Sequence, residues 1–115
     1  MHELGIARNI LEIVQKTVPP EQEAEVKSIR IRIGQLSGVV PDSLEFCFSA
    51  LLNGTRMESA GLVIEKMPTV SLCKECRHRF TVDDFAFSCP MCNSVNVELI
   101  SGDELEIVDI ELADD

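Results

Sequence analysis

With 115 residues, the chain has room for one modest domain, or for one domain carrying a small metal-stapled module. Twenty acids against ten Lys plus Arg give a formal charge of -10, which opposes a polyanionic partner. Aromatic residues make up 4%, with no Trp and no Tyr, so stacking platforms are scarce and no nucleic-acid partner is expected.

The 45% hydrophobic content is that of a globular chain with an aliphatic core. No basic cluster precedes Leu4, and Arg8, Asn9 and Glu12 interrupt the first apolar run, unlike a signal peptide. No stretch reaches the roughly 18 apolar residues of a membrane span, so no membrane association and a cytoplasmic, reducing setting are expected. In such a setting five cysteines, four of them in two C-x-x-C pairs, favour metal ligation over disulfides.

In residues 4–18, Leu4, Ala7, Leu11, Val14 and Val18 recur at helical spacing, flanked by Ile6, Ile10 and Ile13. Arg8, Asn9, Glu12 and Lys16 fill the other face, and "VPP" stops the helix. "VKSIRIRIG" alternates Ile29, Ile31 and Ile33 with Arg30 and Arg32, the pattern of a strand with one buried face. "QLSGVVP" reads as loop.

"PDSLEFCFSALLNG" predicts a second helix. Asp42 is its expected N-cap, Glu45 completes a capping box, and Leu44, Cys47, Phe48 and Leu51 share the inner face. Cys47 is expected to be a buried, inert thiol. "GLVIEKM" predicts a second strand and "GDELEIVDIELADD" a third. The third slips parity between Leu105, Ile107 and Val108, Ile110, Leu112, which suggests a bulge or a face covered on both sides. The predicted fold class is α+β: a small three-stranded sheet with both helices on its apolar face and an inserted zinc ribbon. The domain boundaries are drawn at 1–68 with 102–115, and at 69–101.

"CKEC" and "CPMC" form C-x2-C-x12-C-x2-C from Cys73, Cys76, Cys89 and Cys92. Two such turns converge four thiolates on one point, a closed tetrahedral site that favours a structural zinc ion over catalysis. An iron–sulfur cluster uses the same donors, but the symmetric spacing favours a zinc ribbon. Val82, Phe80, Phe85 and Phe87 are the expected packing around it. Arg77 stands where zinc turns often carry glycine, a mark against ideal geometry, whereas Asn93 tolerates a left-handed backbone. His78, beside Cys76, reads as an exposed loop residue or a supporting group.

The opening "MHE" is a weak signal by itself. Methionine aminopeptidases act mainly before small residues, so His2 is expected to preserve Met1. The Met1 amine, the His2 amide and the His2 imidazole then form fused chelate rings, with the Glu3 amide or carboxylate as a fourth donor. A tetragonal nitrogen set suits Ni(II) or Cu(II). The plainer alternative is an exposed histidine and an acid placed to favour the helix N-terminus.

Together, "MHELGIARNILEIV", "IRIGQLSGVVPDSLEFCF" and "CKECRHRF…FSCPMCNSVNVELISGDEL" resemble the HypA/HybF family of hydrogenase-maturation nickel metallochaperones. The resemblance runs from Met1 to about Leu112. It implies a non-enzymatic carrier that binds one Ni(II) through His2, Met1 and Glu3, with zinc held by Cys73, Cys76, Cys89 and Cys92. The implied partners are a nickel-handling GTPase and the hydrogenase large subunit, with urease as a further client in some organisms. The chain itself has no phosphate loop, so GTP hydrolysis would belong to the partner. Monomer and homodimer are both compatible with the sequence. The competing reading is a zinc-ribbon interaction module in which MHE merely starts a helix; a hydrolase would need an open zinc position, which four cysteines do not leave.

Overall fold

A computed structural model describes residues 2–83 and 85–113. Two compact units are present: Met1–Arg32 with Gly38–Glu65 and Glu106–Asp115, and Ile33–Ser37 with Lys66–Leu105.

The first unit begins with helix α1, Glu3–Thr17, which ends before Pro19 and Pro20. Its buried residues are Ile6, Ala7, Ile10 and Val14, while Leu4 and Ile13 are exposed. The buried stripe is therefore turned toward Ile6 and Ile10 from the line through Leu4 and Leu11. A 3-10 segment, Pro20–Glu25, leads into strand β1, Val26–Gly34. Ile29, Ile31 and Ile33 are at most 3% exposed, as the alternation predicts.

Helix α2 spans Pro41–Leu52, packs on α1, and buries Leu44, Phe48 and Leu52. Its N-cap is Val40, with no side-chain cap bond, so the predicted Asp42–Glu45 capping box does not form. Pro41 takes the first helical position, where its fixed φ and missing N–H cost nothing, and this moves Asp42 inside the helix. Cys47 is half-buried and not the fully enclosed thiol expected.

Strands β2, Gly61–Met67, and a C-terminal strand, Leu105–Leu112, flank β1 in a three-stranded sheet with β1 central. The isoleucine face and the two helices share the core, and the other face carries ion pairs. Arg30 pairs with Glu65 at 3.1 Å and with Asp109; Arg32 pairs with Glu65 at 2.9 Å and Glu106 at 3.7 Å; Lys27 pairs with Glu111 at 3.5 Å. All these side chains are at least one-third exposed, so each pair contributes little stability and mainly fixes which strands lie side by side. Backbone bonds from Gly34 N–H to the Glu104 carbonyl and from Ala113 N–H to the Glu25 carbonyl span the same number of residues on each strand, so they give no sign of the predicted bulge.

The second unit holds its own antiparallel sheet: β3, Val70–Cys73, lies between β4, Arg79–Thr81, and β5, Val97–Ser101. The C-terminal strand of the first sheet is accordingly β6. Cys73, Phe80, Val82 and Cys89 are buried, with Phe87 and Val97 packed against them. Ser71 is fully buried, and its hydroxyl has no partner among the described residues. Gln35 links the 35–37 segment to this sheet, its side-chain oxygen accepting from both the N–H and the hydroxyl of Thr69 at 3.1 Å. Backbone bonds from Gly34 N–H to the Glu104 carbonyl, 2.8 Å, and from Leu36 N–H to the Gly102 carbonyl, 2.6 Å, hold two chain segments against each other. Among the described residues no helix is long and apolar enough to cross a membrane.

Candidate metal centres

The two C-x-x-C segments fold into the same turn. In the first, Cys73 N–H donates to the His78 carbonyl at 2.8 Å, and Arg77 N–H returns to the Cys73 carbonyl at 2.9 Å. In the second, Cys89 N–H donates to Ser94 at 2.9 Å and Asn93 N–H to Cys89 at 2.8 Å. The leading sulfur of each turn also accepts a backbone N–H: Cys76 to Cys73 Sγ at 3.5 Å, Met91 to Cys89 Sγ at 3.4 Å.

Both turns close through a left-handed residue, Arg77 at φ 67° and Asn93 at φ 64°. Asparagine accommodates that region, whereas arginine bears the contact of its Cβ with the backbone. Arg77→Gly should therefore stabilise the metal-bound protein by about 0.5–1 kcal/mol, the relief of strain exceeding the added freedom of the unfolded chain. A higher urea midpoint would register the gain; an unchanged or lower one would count against strain at this position.

All four sulfurs lie within 4.8 Å of one another. Cys73 and Cys92 approach to 3.6 Å and Cys76 and Cys89 to 3.5 Å. A tetrahedron with metal–sulfur bonds of 2.3 Å has edges of roughly 3.8 Å, so the constellation fits a four-coordinate ion such as zinc. Cys73 and Cys89 are buried, Cys76 and Cys92 exposed.

The thiols do not ionise independently. The Cys76 N–H, outweighing burial, brings Cys73 down to about 7. Cys92, although the Ser94 backbone bond favours its thiolate, is pushed up to about 12 by the Cys73 sulfur, by burial and by the other two thiols. Cys76 is likewise raised: burial and its sulfur neighbours outweigh the His78 backbone bond. Four negative sulfurs need a cation between them, and a site with no fifth position suits structure over catalysis.

His78 is half-buried, its ring stacked on Phe80 with centroids 6.3 Å apart and planes 12° from parallel. It is outside the four-sulfur cluster, a packing residue whose carbonyl serves the first turn. Phe85, expected to pack at the site, is 77% exposed at φ 60°, on the rim of an open cleft of about 620 Å³ that Gln35, Thr69 and Val82 also line.

At the other candidate centre, His2 is the N-cap of α1, extended at φ -88° and ψ 116°, and exposed. Its carbonyl accepts Ile6 N–H at 3.2 Å, but its side chain makes no capping bond. Glu3 is half-buried, and Ser43 on α2 donates its hydroxyl to Glu3 Oε1 at 3.3 Å. Sequence reading missed Ser43, which stands 40 residues from its partner with no local signal linking the two. Met1 lies outside the described residues.

A family model described as "Hydrogenase/urease nickel incorporation, metallochaperone, hypA" matches residues 1–112. The hydrogenase maturation factor HypA of Desulfatibacillum aliphaticivorans is 43% identical over 115 residues, covering 99% of this chain and 88% of that protein. Its counterpart in Desulfosudis oleivorans is 44% identical over 113 residues, covering 97% and 98%. The solution structure of the Ni metallochaperone HypA from Helicobacter pylori superposes with a TM-score of 0.65 at 20% identity, covering 100% of both chains. A second HypA solution structure gives 0.70 at 21%, covering 97% of this chain and 96% of that one. At those identities the two structures show the fold, while the family match and the closer sequences carry the descent. The chain belongs to the HypA family of hydrogenase/urease nickel-incorporation metallochaperones.

Proposed function

We propose that this protein carries one Ni(II) ion at its N-terminus and passes it to the large subunit of [NiFe]-hydrogenase during maturation. It acts as a carrier in the cytoplasm, without catalysis of its own, beside a nickel-handling GTPase that supplies the nucleotide chemistry. Urease is a further client under the same reading, since the family description covers both enzymes. Zinc occupies Cys73, Cys76, Cys89 and Cys92 and stays with the protein while nickel passes through.

The observation that carries the reading is His2, exposed at the start of α1 with its side chain unused by the helix cap. The Met1 amine, the His2 imidazole and the Glu3 amide or carboxylate are the accompanying donors. The first four N–H groups of a helix have no partner in its hydrogen-bond ladder, so the Glu3 amide can lose its proton to a metal without unwinding a turn. The positive end of the helix dipole favours the resulting negative nitrogen. A metal that ionises amides is therefore served better here than one that does not, which favours Ni(II) or Cu(II) over zinc. Because amine and amide protons must leave, binding strengthens as pH rises and weakens as it falls.

Ni(II) titration of the untagged, zinc-loaded protein, followed by d–d absorption, tests the site. One equivalent should bind in the native chain. His2→Ala should lower affinity by roughly 100-fold or more, beyond what loss of a merely supporting partner produces, with zinc content unchanged. Superimposable titrations would eliminate the N-terminal site and favour a zinc-ribbon adaptor.

A further inference from the structure

We propose that Ser43 is a positioning residue for the nickel site: its hydroxyl holds one oxygen of the Glu3 carboxylate and leaves the other for the metal. This inference rests on the nickel-carrier reading given above.

A glutamate placed only to favour its own helix dipole needs no partner, and at the first position of an exposed helix end it would point into water. Glu3 instead is half-buried and turned to α2, where Ser43 Oγ lies 3.3 Å from Oε1. Ser43 is the third residue of α2, whose N-cap Val40 contributes no side-chain bond and whose Pro41 has no N–H. The carboxylate of Glu3 thus stands at the first turns of two helices at once. Its position is set by tertiary structure.

A glutamate side chain loses rotamer freedom when it ligates a metal, and a side chain already oriented loses less on binding. One serine hydroxyl occupies one lone pair of Oε1; Oε2, with no hydrogen bond to it among the described residues, remains a donor. A hydroxyl–carboxylate contact of 3.3 Å is long for this pair, so it orients the group without locking it. Such a tether suits cargo that must leave: when the metal departs from Oε2, Ser43 still holds Oε1.

Nickel affinity would be measured by Ni(II) titration on the full-length, untagged, zinc-loaded chain for wild type, Ser43→Ala, Ser43→Thr, Glu3→Ala and the Ser43→Ala/Glu3→Ala pair, with His2→Ala alongside. Thermal midpoint and zinc content would be recorded for each. The expected result is a loss of about 10-fold for Ser43→Ala, the lower end of the range for groups that support a ligand, and near-native binding for Ser43→Thr. In the Glu3→Ala background the serine substitution should have no further effect, because the group it orients is gone. A helix-start defect would move the thermal midpoint and persist in that background.

Wild-type binding by Ser43→Ala, with binding lost in His2→Ala, would overturn the role of Ser43 and leave the carrier reading standing. An equal loss with and without Glu3 would also overturn it, since the serine would then act on something else. Native binding by His2→Ala would remove the carrier reading, and this inference with it.

Discussion

Cys89→Ser should strip the metal from the four-cysteine centre and leave residues 70–101 without fixed tertiary structure. The second unit has little else to hold it. Its buried cluster comprises Cys73, Phe80, Val82 and Cys89, with Phe87 and Val97 alongside, and two of the four buried members are themselves the candidate metal ligands. A core that small does not offset the entropy of ordering three short strands. Structural zinc supplies about 10–16 kcal/mol in comparable thiolate sites at neutral pH, so losing the metal amounts to losing the fold of the unit.

Cys89 is the sharper choice over Cys92, because it is buried beside apolar side chains and serine would add an unsatisfied hydroxyl there. Acid should reproduce the effect in the native chain. With Cys92 raised to about 12 and Cys76 raised as well, both thiols carry protons at neutral pH without metal and must release them on binding. Metal affinity therefore falls as pH falls. Amide hydrogen exchange is the discriminating measurement. Protection should vanish in β3, β4 and β5 while it persists in α1, α2 and β1, which have their own core. Protection retained throughout in a zinc-free sample would show that the ribbon folds without a metal.

Gly34→Ala should cost about 4 kcal/mol or more, at the extreme of single substitutions. A Cβ at Gly34 would lie 2.1 Å from both the carbonyl carbon and the oxygen of Gly102, and 2.6 Å from the Asp103 nitrogen. These are backbone atoms, and the segment cannot retreat: hydrogen bonds from Gly34 and Leu36 to Glu104 and Gly102 clamp it on both sides. Nor can Gly102 move easily. It sits at φ 126°, closed to side-chain-bearing residues, with its own Cβ direction 2.8 Å from the Thr69 Cα. Urea unfolding gives the direct test, and a midpoint equal to wild type would mean that the two segments separate readily.

How much of this was legible beforehand depended on the range of each interaction. The alternation in β1 announces itself because neighbouring Ile and Arg answer to opposite faces, and the paired cysteines do so because metal geometry imposes their spacing. Ala7, Val14 and Val18 are buried as the helical spacing predicts, whereas Leu4 on the same predicted face and the flanking Ile13 are exposed. The capping box at Asp42 failed because proline at position 41 competes for the helix start and wins. Strands as short as "VSLC" and "RFT" carry too few residues to show a period, so the second sheet was visible only as a metal module. The Gly34–Gly102 approach and the Ser43–Glu3 bond join residues far apart in sequence, and no local pattern encodes either. At the N-terminus the donor set was readable from MHE, but what orients Glu3 was not.

The central place of β1 bears on the order in which the chain can be completed as it is made. This strand is synthesised early, between its two helices, and β2 follows soon after, yet its other neighbour is β6. Until residues 105–112 leave the ribosome, one side of β1 presents unpaired backbone groups beside a row of isoleucines, an adhesive edge for other chains. Asp109, Glu106 and Glu111 arrive with that final segment, so Arg30, Arg32 and Lys27 wait for three of the five ion pairs described above. The ribbon, whose strands lie between residues 70 and 101, emerges first and can take up its metal while the older half of the chain is still open. A chain ending near residue 104 and free of the ribosome would therefore hold a finished metal module and an unfinished sheet, with the edge of β1 open to other chains.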